Sequence, residues 1–295
     1  MSDHQRHYIY IENRVAEWAA NRPDIQGVLV VGSRARHDKP ADEFSDLDLV
    51  VFADDPDKLV ESDAWLAEIG TVVFSFVEST AVGSWRERRA VFAPMLDVDF
   101  SVVPSSLLDV DFSVPGPVSD IVRPVIDRGY RIVHDPDGRL SALDSLAISP
   151  GTIWKLPAEA TFTNIVVDFW YHAMWTTKKL RRGEIVVARN CLDSYMKGKL
   201  LQVINWHAHI GNPDLDTWHG SRFFEQWTDE DIVRSFHATF GAANHEQIES
   251  DLKRTMDLFS AVARDVAKRL GYDYPELAET HVRGWIQASV PDTLS

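Results

Sequence analysis

The chain has 295 residues, of which 45% are hydrophobic and 25% are charged, a composition typical of globular proteins. At roughly 100–200 residues per domain, this length predicts two domains. The 30 basic side chains are outnumbered by 45 acidic ones, so the net charge is −15. Such a surface repels nucleic acid over long range and attracts small cations, which argues against a nucleic-acid partner.

The sequence also argues against export and membrane insertion. Its one cysteine, Cys191, excludes an internal disulfide. The N-terminal segment is polar and lacks the apolar core of a signal peptide. No apolar run approaches the ~20 residues that cross a bilayer. We therefore expect a cytoplasmic protein with no membrane partner.

Residues 1–150 carry a mixture of helix and strand patterns. Apolar positions at helical spacing predict a first helix over Tyr8–Ala20. The later elements predicted from periodicity and turn residues are, in chain order, a strand in GVLVVGS, a strand in DLDLVVF, a helix at Pro56–Glu68, strands at Thr71–Phe76, Ala90–Phe92 and Leu96–Val103, and a last element at Tyr130–Asp135. This order predicts an α+β domain with a mixed sheet.

After Pro157 the sequence changes character. Long glycine-free stretches carry aromatic and aliphatic residues at helical spacing, and strand patterns nearly disappear. We therefore predict a domain boundary near residue 150, give or take the few residues by which such boundaries are misplaced. Residues 151–295 are expected to form an α-helical bundle.

Residues that suit phosphate and metal binding lie between the first two predicted strands. Gly32 lets a backbone approach a phosphate closely, and the Ser33 hydroxyl can donate to phosphate oxygens. Asp46 and Asp48 are two apart in a strand and point to the same face. Paired carboxylates repel each other unless a cation lies between them, and oxygen-only ligands suit Mg²⁺. The alternative is a solvated turn followed by an edge strand with exposed aspartates.

The order of these residues, a strand ending in GS and then DLD opening an apolar strand, resembles the signature of the nucleotidyltransferase superfamily that includes polymerase beta. The resemblance implies a catalytic domain with a mixed sheet, and a third carboxylate on a neighbouring strand.

A duplicated word supplies the candidates for that third carboxylate. LDVDFSV begins at Leu96 and again at Leu108. The first copy alternates between polar and apolar residues and predicts a strand. The second copy follows Ser106, a good helix N-cap, and predicts a short helical turn that Pro115 ends. The two copies are therefore not expected to share a structure.

Each copy holds two aspartates. We expect Asp99 to be the third metal ligand, with Asp97 as the alternative on the same face of the strand. Asp109 and Asp111 in the second copy are expected to be surface acids.

Further details resemble the aminoglycoside 6-adenylyltransferases, also called streptomycin adenylyltransferases. The motif GSR, the loop DEFSDLD and an aspartate five residues before a proline agree with that family and select Asp99, before Pro104. Segments in the second half, Val167–Tyr171 and Thr177–Glu184, stand at matching separation. The similarity covers most of the chain and is denser in its first half. Lys179 replaces a family glycine, which bears on the acceptor pocket.

The resemblance implies in-line attack by a substrate hydroxyl on the α-phosphorus of ATP, with release of pyrophosphate. Asp46 and Asp48 would bridge two Mg²⁺ ions, and Asp99 would hold one of them. One ion would lower the pKa of the attacking hydroxyl and the other would neutralise the leaving pyrophosphate. Gly32 and Ser33 would hold the terminal phosphates.

Five residues are further candidates by position. Arg34 and Lys178 are expected to bind the nucleotide, although both equally suit solvated basic segments. Asp168 replaces a family glutamate in an aromatic run, where burial is expected to raise its pKa. Asp168 is therefore assigned as general base or as binder of a cationic acceptor, with a structural hydrogen bond as the alternative. Glu184 and Asp97 are the remaining acceptor-binding candidates.

The predicted function is Mg²⁺-dependent transfer of AMP from ATP to an aminoglycoside such as streptomycin, which would inactivate the antibiotic. Both substrates are small molecules, and the acceptor is a polycation that suits an acidic protein. Two alternatives remain open. The same catalytic domain would serve another small-molecule or protein acceptor, or the fold would bind nucleotide as a regulator without turnover.

Overall fold

The computed structural model describes residues 3–36, 39–80, 83, 85–145 and 155–288, with the backbone alone at 144, 145, 218 and 219. The chain forms two compact units, Met1–Pro150 and Gly151–Ser295. The predicted domain boundary falls among residues 146–154, which lie outside the described residues.

The described residues of the first unit form three α-helices and six strands. Its elements are α1 (Asp3–Ala20), β1 (Ile25–Val31), β2 (Leu47–Ala53), α2 (Pro56–Glu61), β3 (Val72–Ser79), β4 (Arg86–Phe92), β5 (Leu96–Pro104), α3 (Ser119–Ile126) and β6 (Arg131–His134). Short 3-10 helices at Gly32–Arg34, Ala64–Glu68, Ser105–Asp109 and Leu140–Ser145 complete the path.

The six strands form one mixed sheet in the order β3-β4-β5-β2-β1-β6. Strands β2 and β5 are parallel, and the other pairs are antiparallel. The predicted α+β class with a mixed sheet is therefore confirmed.

Alternation along the central strands gives the sheet two different faces. On one face, Leu47, Val98 and Phe100 are buried in a core with residues of α1 and α2. On the other face, Phe52 and Val103 pack in a smaller cluster with Ile126 of α3 and Leu140 and Leu143 of the last 3-10 helix. The start of β2 and the middle of β5 carry aspartates on this second face. One end of the face is thus apolar and covered, and the other end is acidic.

The predicted helix Pro56–Glu68 is two elements. Its first part is α2, the chain is extended at Ser62, and a 3-10 helix follows from Ala64. The indole N–H of Trp65 donates to the carbonyls of Leu59, at 3.0 Å, and Ser62, at 2.8 Å. These hydrogen bonds fix the chain between α2 and the 3-10 helix. The Trp65 ring packs edge-on against Phe100, with centroids 4.9 Å apart. Tertiary packing therefore overrides the local helical pattern.

The described residues of the second unit form helices joined by short irregular segments, without strands. Its elements are α4 (Glu159–Arg181), α5 (Ile185–Asn190), a π-helical segment (Cys191–Met196), α6 (Lys197–Gly211), α7 (Trp218–Ser221), α8 (Phe224–Trp227), α9 (Glu230–His237), α10 (His245–Leu270) and α11 (Glu276–Ala288).

Aromatic packing between α4 and α10 anchors the core of this unit. The Phe169 and Phe259 rings stack with centroids 3.6 Å apart, and Trp170 lies edge-on to both. The buried Trp170 indole donates to the Tyr274 hydroxyl at 3.0 Å. Among the helices in the described ranges, none has the length and apolarity that a bilayer crossing requires.

Candidate active site

Three predicted aspartates converge at the acidic end of the sheet. Asp46 immediately precedes β2, Asp48 is its second residue, and Asp99 lies directly opposite Asp48 on the parallel strand β5. One carboxylate oxygen from each residue lies within 4.8 Å of the other two. Residues opposite each other in a sheet point to the same face. The side chains of Asp48 and Asp99 therefore share one face.

Asp99 is the most buried of the three, with 4% of its surface exposed. Burial raises the pKa of Asp99 to about 8, against the pull of the Arg89 guanidinium and with added repulsion from Asp48. Within the described part of the chain, Oδ1 of Asp99 is buried without a hydrogen-bond partner. A buried oxygen left in this state is costly unless a ligand satisfies it.

The turn after β1 is shaped to fit this cluster. Gly32 has a φ of +66°, and a Cβ at this position would lie 2.0 Å from Oδ2 of Asp48. Glycine is therefore required both by the backbone conformation and by the close approach. Ser33 is buried, and its Oγ has no partner among the residues described. An unused hydroxyl thus lies in the turn that packs against the Asp48 carboxylate.

Arg34 contacts the loop that precedes β2. Its guanidinium donates to the carbonyls of Asp46, at 2.8 Å, and Ser45, at 2.7 Å, and lies 3.5 Å from the centroid of the Tyr8 ring. Arg34 therefore holds the backbone that carries Asp46. Its predicted contact with the nucleotide stays a prediction.

Arg89 is a site residue that the sequence analysis missed. It lies on β4 directly opposite Asp99, and its Nη2 is 2.9 Å from Oδ2 of Asp99. Its Nε is 3.2 Å from Glu87 and 2.5 Å from Glu78. The predicted strand began only at Ala90, because the charged residues before it masked the strand pattern. Alternation within RERRAVF is the signal that would have placed Arg89 on the same face as Asp99.

Asp97 lies two residues before Asp99 on the same face of β5. Its backbone N–H donates to the Tyr8 hydroxyl at 3.2 Å. Burial, followed by the negative charge of Asp46, raises the pKa of Asp97. Asp97 therefore adds a fourth carboxyl group to this end of the sheet.

The cluster fits Mg²⁺. It offers three carboxylates on adjacent strands, with unsatisfied buried oxygen on Asp99, and no nitrogen or sulfur ligand belongs to it in the described ranges. Oxygen-only donor sets of this kind are those that Mg²⁺ takes together with water and substrate phosphates.

Asp168 lies in the second unit, on α4, and is charged. Its carboxylate is 2.9 Å from the Tyr195 hydroxyl, 2.9 Å from Nζ of Lys199 and 2.8 Å from Nδ1 of His172. Partial burial opposes ionisation, but the hydrogen bonds from Lys199 and Tyr195 outweigh it and lower the pKa of Asp168. The expected rise of this pKa is wrong, because the neighbouring helical segments supply donors that the sequence pattern does not reveal.

An open cavity of about 420 Å³ adjoins the partners of Asp168. It is lined by His172 and Trp175 of α4, and by Val187, Asn190, Cys191, Ser194 and Tyr195 from α5 and the π-helical segment. Short π-helical segments are frequent at functional sites. This unit therefore offers an aromatic cavity beside a charged carboxylate.

The two other candidates in this unit lie near the end of α4. Lys178 is exposed, with Nζ 5.7 Å from the centroid of the Trp285 ring. Glu184 is 2.8 Å from both Lys179 and Arg182, and the hydrogen bond from Lys179 lowers its pKa. The negative charge of Glu184 is thus balanced by Lys179 and Arg182.

Comparison with known proteins identifies the family of this chain. Residues 6–289 match the family described as streptomycin adenylyltransferase. The chain belongs to this family. It is 24% identical to a Campylobacter jejuni aminoglycoside 6-adenylyltransferase over 88% of both chains. It is 23% identical to the Staphylococcus aureus protein of that name, over 94% of this chain and 96% of the relative.

A solved structure titled as an aminoglycoside 6-adenyltransferase from Bacillus subtilis aligns over 98% of both chains, with 16% identity and a TM-score of 0.46. Family membership makes this protein a nucleotidyltransferase, and its class is adenylyltransferase.

The raised pKa of Asp99 predicts a pH effect on stability without divalent ions. Between pH 4 and pH 8 the unfolded chain has lost this proton while the folded chain keeps it, so stability falls as pH rises. Asp99→Asn removes this contribution, which is at most about 1.4 kcal/mol per pH unit. Urea unfolding in EDTA between pH 5 and pH 8 measures it.

The matched control is Asp111→Asn, which changes the equivalent position of the second LDVDFSV word. Its stability profile should run parallel to that of the wild type. A parallel profile for Asp99→Asn as well would contradict the burial of an ionisable Asp99.

Proposed function

We propose that this protein transfers AMP from ATP to a hydroxyl of an aminoglycoside such as streptomycin, in a Mg²⁺-dependent reaction that releases pyrophosphate and inactivates the antibiotic. The observation that carries the proposal is the cluster of Asp46, Asp48 and Asp99, with the unpartnered Oδ1 of Asp99, packed against the Gly32-Ser33 turn. The names of the relatives support the acceptor class. The use of ATP supports a cytoplasmic location.

In this proposal Asp46, Asp48 and Asp99 hold two Mg²⁺ ions. Bound there, the ions supply charge that lowers the pKa of the acceptor hydroxyl and stabilises the leaving pyrophosphate. Arg34 fixes the Asp46 backbone through its carbonyl contacts. Arg89 engages one oxygen of Asp99 and leaves the other for ligation. Oδ1 of Asp99 is therefore offered as a ligand without loss of the contact between Oδ2 and Arg89.

Gly32 and Ser33 bind the triphosphate. The absence of a Cβ at Gly32 lets the turn pack against the Asp48 carboxylate, and the unused Ser33 hydroxyl donates to a phosphate oxygen. The acceptor oxygen attacks the α-phosphorus, the bond to the β-phosphate oxygen breaks, and the hydroxyl proton leaves to base or solvent. Electrostatic stabilisation and positioning account for most of the catalysis in such transfers.

Asp168 binds a cationic group of the acceptor. Its lowered pKa keeps it charged, which suits recognition of an ammonium or guanidinium group better than proton abstraction. Asp97 and Glu184 are proposed as further acceptor contacts, and Lys178 as a phosphate contact. In functional terms, residues 1–150 form the catalytic domain and residues 151–295 the acceptor-binding domain.

The proposed reaction is tested by mass spectrometry of an aminoglycoside panel incubated with the protein, Mg²⁺ and ATP or GTP. The expected product carries one additional AMP. Asp48→Asn and Asp99→Asn should lower turnover by at least about 100-fold, since even outer-shell changes in metal sites cost up to that much. Asp111→Asn should leave turnover unchanged. Entry of label from ATP into protein, or no transfer to any aminoglycoside, would contradict the proposed acceptor.

The role of Asp168 is tested by the kinetics of Asp168→Asn. Loss of one charge-assisted hydrogen bond, about 1.5–3 kcal/mol, predicts a rise in the acceptor KM of roughly tenfold or more with an unchanged ATP KM. Asp265→Asn on α10 is the control, because Asp265 is half-exposed and pairs with His207. A loss of kcat without a change in acceptor KM would instead support the general-base role.

A further inference from the structure

The edge strand β3 presents aromatic side chains to solvent. Phe74 is 50% exposed and Phe76 is 47% exposed, and both come from a strand that pairs with β4 only along one side. Exposed apolar side chains that lie next to each other form a patch, and such patches frequently mark a binding site.

The sheet register places these rings beside the carboxylate cluster. Phe76 lies opposite Arg89 of β4, Arg89 lies opposite Asp99 of β5, and Asp99 lies opposite Asp48 of β2. Residues opposite one another share a face, so this row runs from Phe76 to the proposed metal ligands on one face. Two strand spacings, about 10 Å, separate the backbones of Phe76 and Asp99.

A second row runs beside the first. Phe74 lies opposite Val91, and Val91 lies opposite Asp97. The two phenylalanines are two residues apart and therefore share this face. Together Phe74 and Phe76 form an aromatic platform at the rim of the catalytic cluster.

The platform lies on the side of the cluster away from the Gly32-Ser33 turn. In the sheet order, β3 and β4 flank β5 on one side, while β1, which leads into Gly32 and Ser33, flanks β2 on the other. With the triphosphate at Gly32 and Ser33, the side of β4 and β3 is left for the acceptor.

The charge of this rim suits a cation. The Arg89 guanidinium is contacted by three carboxylates, those of Glu78, Glu87 and Asp99, and Glu78 is 44% exposed. The rim therefore keeps an excess of negative charge. Aromatic faces next to carboxylates bind organic cations through the ring quadrupole and bind the apolar faces of ring molecules by contact.

We propose that Phe74 and Phe76 form the acceptor platform, on which a ring of a cationic acceptor packs while its hydroxyl lies at Asp99. This inference rests on the proposed function and adds specificity-determining residues to it. Packing of one acceptor ring on the two phenyl faces orients the acceptor without altering how ATP binds.

The test is steady-state kinetics with an aminoglycoside that the wild-type protein adenylylates. Phe76→Ala should raise the acceptor KM about tenfold, and Phe74→Ala/Phe76→Ala should raise it further, because cation–π and contact energies of this kind are lost. The ATP KM should stay within twofold. Phe76→Trp should restore the acceptor KM, since it returns an aromatic face.

Val77→Ala is the matched control. Val77 is 37% exposed on the same strand, but it lies opposite Arg88 and therefore points to the other face. Its kinetics should equal those of the wild type. Since Phe74 and Phe76 are half-exposed, their truncation should leave the thermal unfolding midpoint nearly unchanged.

Each other outcome overturns the inference in a different way. A rise in the ATP KM alone would assign the platform to adenine. Unchanged kinetics with a smaller size than the wild type in size-exclusion chromatography would assign β3 to pairing with a second copy. Unchanged kinetics and size would leave the proposed function standing without the platform. If the wild type adenylylates no aminoglycoside, the proposed function and this inference both fail.

Discussion

Burial of the Asp99 carboxylate among other acids is the constraint on which the rest of the first unit depends. A carboxylate with 4% exposure next to Asp48 is unfavourable unless cations approach it. Arg89 supplies one cation from within the protein, at 2.9 Å from Oδ2. The other oxygen, Oδ1, has no hydrogen-bond partner among the described residues and can ligate a second cation. The close approach of Gly32 to Asp48 and the unused Ser33 hydroxyl are then parts of the same site.

The two units hold aspartates in opposite states. Burial and like charge favour the protonated form of Asp99, whereas Lys199 and Tyr195 keep Asp168 ionised. Contrasting pKa shifts of this kind separate chemical roles in active sites. A carboxylate that gains from an added cation suits catalysis with metal. A carboxylate already stabilised as an anion suits a lasting contact with a cationic substrate, as we propose for Asp168.

Much of the carboxylate cluster was predictable from local pattern. Gly32, Ser33, Asp46 and Asp48 follow from the boundary between a turn and an apolar strand, and the alternation of LDVDFSV placed Asp97 and Asp99 on one face. The same word at Leu108 has a different structure, a 3-10 helix ending at Asp109 followed by irregular chain. Its neighbours decide this, because Pro104 and Ser105 end the strand before the word begins.

Contacts that depend on pairing between distant segments were not predictable. Arg89 meets Asp99 only because β4 and β5 pair in one register, and the charged start of β4 masked that strand. The ionised state of Asp168 depends on Tyr195 and Lys199, which a separate helical segment brings to it. Local sequence sets which face a residue occupies, and tertiary structure sets its partners and hence its pKa.

The central claim is that three acidic side chains share a divalent-ion site, and metal binding tests it most directly. Titration with Mn²⁺, followed by the electron paramagnetic resonance signal of the free ion, should give saturable binding by the wild type. Asp99→Asn should weaken that binding by at least about tenfold, as loss of an inner ligand costs no less than loss of an outer-shell partner. Retention of wild-type affinity in Asp99→Asn would contradict the account.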